Sequence, residues 1–356
     1  MYIKFLTFKS KAFISLLSVF SNSRIIQRKI DIIQTRVFCD QEYAGYQKIN
    51  SFLHREEKEH VYGSTLPTVI WTSGTRLWFR NNKVHRNDRD ENGRVLPAVI
   101  RSKGDQEWYR NGKLHRNDRD ENGRVLPAVI WINRKQEWYR NGKLHRDDRD
   151  ENGRVLPAVI YDEEHQEWWK NGERHRDDKD ENGKVLSAII ESGGTQFWYM
   201  NGKCHRNDLD ENGKTLPAHI SYEVQEWYKN GDMHRDDRDE NGRVLPAYIS
   251  ETTHLWKKEG KLHRDDRDEN GRVLPAVIWS TGDQEWWRDG KRHRDDRDEN
   301  GRVLPAYIES NGTQQWCNDG EIHRDDKDEN GNILPAYIRS NGSQEWWENG
   351  EWRRDN

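Results

Sequence analysis

A tryptophan returns at nearly constant spacing through most of this chain: Trp78, Trp108, Trp138, Trp168, Trp198, Trp227, Trp256, Trp286, Trp316 and Trp346. The step is 30 residues, shortened to 29 before Trp227 and Trp256. Histidines follow seven positions later, from His85 to His323, and Arg353 stands in that column in the last unit. Self-similarity at a period of this size signals a solenoid, propeller or array and outranks any local motif. It also bears on function. A chain that makes one surface nine or ten times presents a repeated binding face more readily than a single reaction centre.

Only 32% of the residues are hydrophobic and 34% are charged, which excludes a thick globular core. A thin core remains possible if each unit buries a few residues against its neighbours. The 17 tryptophans all lie from Trp71 onward, and such rings bury large areas and argue against disorder. Cys39, Cys204 and Cys317 are too scattered for a disulfide ladder or a zinc site, which fits a reducing, cytoplasmic setting.

Residues Met1 to Arg86 carry 14 Lys+Arg and 6 Asp+Glu, a net of +8, and the remainder carries 45 and 57, a net of −12. The unit Arg116 to His145 has 7 basic and 4 acidic residues, whereas Arg294 to His323 has 3 and 7. Such a gradient would orient the array towards a partner or a membrane, although drift among solvated positions gives the same numbers. The acidic balance of the array disfavours nucleic acid.

Residues 1–50 stand outside the repeat and form a basic, partly apolar segment. Its first acid is Asp31, and the apolar run Ala12 to Phe20 is too short to span a bilayer. It reads as a terminal helix or a targeting sequence, with membrane contact through its basic residues. Residues 51–356 form the second region, about ten tandem β units with the first and last partial.

One unit, Asn122 to Arg146, shows the local logic. Val125–Ile130 is β-rich, and the column of Leu96, Ala98 and Ile100 hardly changes while Val99 becomes Ile189, His219 or Tyr248. Period two with one constant apolar face predicts a strand with that face buried. Proline opens this strand in every unit but one, where Ser187 replaces it. A variable, often Gly-containing connector leads to a second strand, Gln136 to Arg140. Asn141-Gly142 then predicts a type I′ turn, and Lys143 to Arg146 returns. No helical periodicity follows residue 50. The expected fold is all-β, an elongated array of about ten antiparallel meander or hairpin repeats, since ten units exceed the usual propeller. Each tryptophan is expected to pack on its counterparts in adjacent units, with a histidine-arginine ladder along one side.

The pattern W-x-x-N-G-K-x-H-R resembles the hairpin of MORN repeats. Closer still are the tandem units ending in H-R-x-D-G-P-A-V-I found in uncharacterised phage and giant-virus proteins. Lys143 to Arg146 and Pro157 to Ile160 match the two halves of that unit. The chain departs by inserting Asp-Arg-Asp-Glu-Asn-Gly-Arg-Val-Leu between them, by lacking the second MORN glycine and by its longer period. The resemblance covers about residues 52 to 356. It implies a scaffold or a protein- or membrane-contacting module, and it carries over no activity.

The inserted loop fits D-x-[DN]-x-[DN]-G, the opening half of a calcium loop, in nine copies. The candidate oxygens are Asp88, Asp90 and Asn92; Asp118, Asp120 and Asn122; Asp148, Asp150 and Asn152; Asp178, Asp180 and Asn182; and Asp208, Asp210 and Asn212. The series continues through Asp237, Asp239 and Asn241; Asp266, Asp268 and Asn270; Asp296, Asp298 and Asn300; and Asp326, Asp328 and Asn330. The closing bidentate Glu is missing and a cation sits inside each loop but that of Leu209, so any calcium site would be weak. The competing reading is a solvated turn, in which Asp147 pairs with Arg146 and each histidine hydrogen-bonds the following acidic loop.

Trp169, Trp287 and Trp347, with Tyr109, Tyr139 and Tyr228, alternate with the main tryptophans and predict a second aromatic row. It serves either two-sided packing or a protein-binding face. The residues that break the pattern, His60, His165, His219, His254, Cys204 and Cys317, stand alone, and no nucleophile motif or phosphate loop is present. The reading is a non-catalytic scaffold that binds protein and needs no cofactor. Its alternative is a low-affinity calcium-binding array.

Overall fold

The computed structural model describes residues 66–353. The basic segment of residues 1–50, expected as a helix or targeting sequence, lies outside the described residues. Among these the chain is all-β, built from repeated antiparallel hairpins. It divides into two compact units. The first holds the described residues up to Asp148 together with Ala158–Ile160, and the second holds Arg149–Pro157 and the chain from Tyr161.

In the first unit Val69–Ile70 pairs with Arg76–Leu77, which pairs in turn with Val99–Ile100. The ladder then runs through Gln106–Glu107, Val129–Ile130, Gln136–Glu137 and Val159–Ile160. Each period therefore gives two short strands to the sheet and one hairpin beside it, such as Tyr109–Arg110 with Lys113–Leu114. The second unit repeats the plan from Gln166–Glu167 to Gln344–Glu348.

The strands are shorter than the sequence predicts, for local reasons. Val125 makes only an isolated bridge with Arg119, Pro127 has no N–H to give, and the ladder resumes at Val129–Ile130. The expected strand Gln136 to Arg140 is split at Trp138. Its N–H donates to the Ala158 carbonyl, while its own carbonyl accepts from His145 in the hairpin. The chain leaves the sheet for the hairpin at this residue.

The turn chemistry is as expected. Asn141 and Gly142 have φ of 52° and 84°, the type I′ combination. Glu259 occupies the first of these positions with φ 50°, in a region that a residue with a long side chain enters at a cost.

The buried face agrees with the expectation at Ala98 and differs at its neighbours. Ala98 and Val99 are the most buried, at 1% and 5% exposure, while Leu96 and Ile100 are only half-buried. The cause is the side hairpin. Phe79, Val84 and Tyr109 pack against Val69, Leu77 and Val99, so the variable column is covered.

Replacing Glu259 by Asn, which tolerates this turn, is expected to stabilise the protein by roughly 1 kcal/mol. A rise in the denaturant midpoint with unchanged slope checks it.

Candidate functional site

The repeated residues converge on one peptide group in each period. The Trp108 indole N–H donates to the Val95 carbonyl at 2.7 Å, and the Val95 N–H donates to Asp118 Oδ2 at 3.1 Å. Arg116 joins these two groups. Its guanidinium lies 3.9 Å from the Trp108 ring centroid, Nε donates to Asp118 Oδ2 at 3.1 Å, and Nη1 donates to the Pro127 carbonyl at 3.2 Å. Both polar atoms of one period's valine are thus held by the next. The arrangement returns at Val185 with Trp198 and Asp208, and at Val273 with Trp286 and Asp296.

Trp78 to Trp316 are buried in this way, at 4% to 7% exposure. Burial pushes the Arg116 guanidinium below its ordinary pKa, and Arg176 is pushed down to about 10. Both remain cations at neutral pH. The arginine eight residues on lies over each of these tryptophan rings, 3.8 to 4.0 Å from the centroid. The expected stacking of tryptophan on tryptophan gives way to a cation on each ring.

The acidic loops are assembled by the same contacts. The first carboxylate of each candidate calcium motif, from Asp88 and Asp118 to Asp326, takes the Nε–H of the arginine two residues earlier. Asp147 instead meets Arg140 at 3.0 Å, and Arg146 pairs with Asp148, which corrects the pairing expected from sequence. The second carboxylate closes its own turn. Asp120 Oδ1 accepts the N–H groups of Asn122 and Arg124 at 3.0 and 2.8 Å, and Asp150, Asp180, Asp210 and Asp298 do the same in their loops. Hydrogen bonds from the Arg243 and Arg272 backbones hold Asp239 and Asp268 below the usual carboxylate pKa. Asn92, Asn122, Asn152, Asn241, Asn270 and Asn330 enter through their backbone N–H. The two carboxylates of a loop serve different ends. No group of three or more His, Cys, Asp or Glu able to hold a metal occurs among the described residues.

The histidines join successive periods by a second route. The Asn111 N–H donates to His85 Nδ1 at 3.0 Å, and Asn201, Asn230 and Asn349 donate likewise to His175, His205 and His323. Nδ1 as acceptor requires a neutral ring with the proton on Nε2. That proton faces Asn87 at 2.8 Å, Asp177 at 3.2 Å and Asp325 at 2.6 Å, the contact with the acidic loop expected from sequence.

Two features were not read from the sequence. The register sets the face of the sheet beside the hairpins as one row: Ile189, Phe197, His219, Glu226, Tyr248, Leu255, Val277, Glu285, Tyr307, Gln315 and Tyr337. The opposite row is nearly uniform, with Ile190, Gln196, Ile220, Gln225, Ile249, His254, Ile278 and Gln284. The other feature is a glutamate, present in six of the ten periods, whose partners change along the array. Glu107 meets Arg101 and the Tyr109 hydroxyl, Glu167 meets the Trp169 N–H and Arg174, and Glu226 meets His219 and Tyr228. The repeated Gln-Glu-Trp was the available signal. The second aromatic row is half-buried here, with its polar tips on these carboxylates.

Neither a protein-family model nor a curated protein sequence matches the chain.

Burial first, and the nearby Arg80 and Arg110 next against the opposing Asn87 bond, lower the pKa of His85 from 6.5; burial is the largest cause for His115 and His205 as well. The folded chain therefore favours the neutral rings. Their contribution is complete above the unfolded value and is lost as the pH falls below it. Thermal midpoints are expected to be flat from pH 8 to pH 7 and to fall below about pH 6.5, with a shallower fall in the triple variant His85→Gln, His115→Gln, His205→Gln. Because the loop carboxylates are already engaged, millimolar calcium or EDTA is expected to move the midpoint by less than about 1 °C. A saturable calcium-dependent rise in calorimetry would restore those loops as ion sites.

Proposed function

We propose that this chain is a non-catalytic repeat scaffold whose repeated surface binds protein. The observation that carries this reading is the division of labour between the columns. The residues that recur in every period, the Trp, His, Arg and Asp, are engaged in joining one period to the next. The residues that change from period to period lie in the row from Ile189 to Tyr337, which is buried or half-buried under the hairpins, and on the exposed edges of those hairpins.

That row mixes aromatic, aliphatic and carboxylate side chains. Phe197 stacks on His219 with centroids 4.1 Å apart, and Arg292 lies 4.9 Å from the Tyr307 ring. Aromatic residues and arginine are the types enriched in protein interfaces. Burial pushes the Cys204 and Cys317 thiols up to about 12 and about 11, which opposes the thiolate needed for attack.

A distributed surface and an active site respond differently to loss of one period. Gly183–Asn212 or Gly242–Asn270 can be excised so that Asn-Gly is restored at the junction. Partners captured by the full chain from its source cells would be identified, and their affinity measured against each excision. Graded losses of about 3- to 30-fold, whichever period is removed, are expected of a scaffold. Total loss at one period and none at another would overturn the reading.

A further inference from the structure

In the later hairpins the residue after the second aromatic column is often a cation, and a carboxylate seven residues on lies beside it. Arg140 Nη2 meets Asp147 at 3.0 Å, Lys229 meets Asp236 at 2.8 Å, and Arg288 meets Asp295 at 2.6 Å. The same carboxylate approaches the histidine: His234 lies 2.8 Å from Asp236 and His293 lies 2.6 Å from Asp295. The fold thus builds a cradle for one carboxylate between a flexible cation and a buried ring N–H.

In the first two described hairpins the cradle is kept and the carboxylate is missing. Arg80 and Arg110 hold the cation position, but Asn87 and Asn117 stand where aspartate stands later. Neither arginine has an ion-pair partner among the described residues, and the histidine beside each meets a neutral amide where a carboxylate stands later, His85 with Asn87 at 2.8 Å and His115 with Asn117. Arg110 lines a cleft of about 720 Å³ together with His85, Asn87, His115 and Asn117.

The hairpins also pair like charges directly across their strands: Arg80 with Lys83, Arg110 with Lys113, and Arg140 with Lys143. Like charges in that position destabilise a hairpin unless an anion lies near. The hairpins follow one another closely, since the Gly112 N–H donates to the Val84 carbonyl and the Gly142 N–H to the Leu114 carbonyl, each at 2.8 Å. The result is a ridge of six cations in the first unit in which Asp147 is the carboxylate paired to the ridge.

We propose that this ridge is the docking surface for an acidic polypeptide segment, whose carboxylates take at Arg80 and Arg110 the place that Asp147 takes at Arg140. This rests on the scaffold reading and names its partner class. Geometry limits the segment. Two strands per period at ~4.8 Å separate successive cradles by ~10 Å, which an extended chain covers in about three residues. The segment is extended, with an acid near every third position.

The test is fluorescence anisotropy of a labelled peptide with aspartate at every third position among Ser and Ala, titrated with the full chain at several salt concentrations. The decisive variant is Asn87→Asp with Asn117→Asp. It supplies the carboxylates internally, as later periods do, and leaves folding intact. Salt-sensitive binding by the parent chain that weakens at least 10-fold in this variant, and equally in Arg80→Ala with Arg110→Ala, is the expected result. Lys258→Ala with Lys261→Ala, in the second unit, is expected to leave the affinity unchanged, since Asp265 is already within 4.0 Å of Lys258. Circular dichroism and melting confirm that each variant is folded.

Affinity unaffected by the asparagine substitutions would overturn the proposal, as would tighter binding of a single-stranded oligonucleotide of equal charge. Self-association of the parent chain that the same substitutions abolish would assign the ridge to a second copy and would also overturn it. If the peptide fails while a captured partner still shows graded loss on excision, this surface is discarded and the scaffold reading stands.

Discussion

One peptide group per period carries the stacking. At Val95 the carbonyl is held by an indole N–H and the amide by a carboxylate, and both come from the following period. The neutral bond is worth about 1 kcal/mol net and the charge-assisted one about 2 kcal/mol, while a buried group left without a partner costs about 1–3 kcal/mol. Loss is therefore dearer than gain is large, and each member requires the others. The tryptophan needs its arginine because the guanidinium lies over its ring at 3.9 Å. The arginine needs the aspartate, since an unpaired buried charge costs about 3–5 kcal/mol. A chain only 32% hydrophobic holds together in this way. Its cohesion comes from a repeated polar contact around one large ring more than from an oily core.

That contact also determines what is left for function. A column engaged in every junction cannot vary without loosening the stack, so chemical individuality is confined to positions outside it. The junction tolerates Thr215 in place of valine because the contact uses the backbone, and the added hydroxyl donates to Asp237 as well. Its neighbours on the variable face differ freely, as His219, Tyr248 and Tyr307 do. The contrast between a uniform frame and a non-uniform row is what the proposed binding reading rests on, and the hairpins that partly cover this row carry the variation out to their exposed edges.

Much of this was legible in the sequence. Period, fold class, turn positions and the type I′ geometry followed from the Trp spacing and from Asn-Gly, because those signals are local and each period repeats the experiment. The buried face was misjudged beside Ala98 because alternation does not tell which side a neighbouring hairpin covers, and Phe79 and Tyr109 lie on the side of Val99. The acidic loop misled for a related reason. Asp-x-Asp-x-Asn-Gly prescribes oxygens without their direction, and the two carboxylates turn out to serve Arg116 with Val95 on one side and the loop's own amides on the other. The arginine's place over the ring, eight residues from Trp108, was present in the period but had no local signature.

Small departures from the repeat are the most informative residues, because the periods serve as controls for one another. Where the hairpin cation is lost at Met200, the aspartate beside it is lost too, and Asn207 takes its place. Asn318 and Glu348 depart the other way, since neither is a cation and yet Asp325 and Asp355 are kept in the sequence; His323 meets Asp325 at 2.6 Å. The acid thus follows a need for charge pairing at most positions. Arg80 and Arg110 break that correspondence in the opposite sense, with the cation retained and the acid absent. Nothing in the stacking contacts asks for this, since Asn87 still bonds to His85 and Asn111 still reaches the ring. A departure that the frame does not need, in two adjacent periods and on the same edge, points outward from the fold.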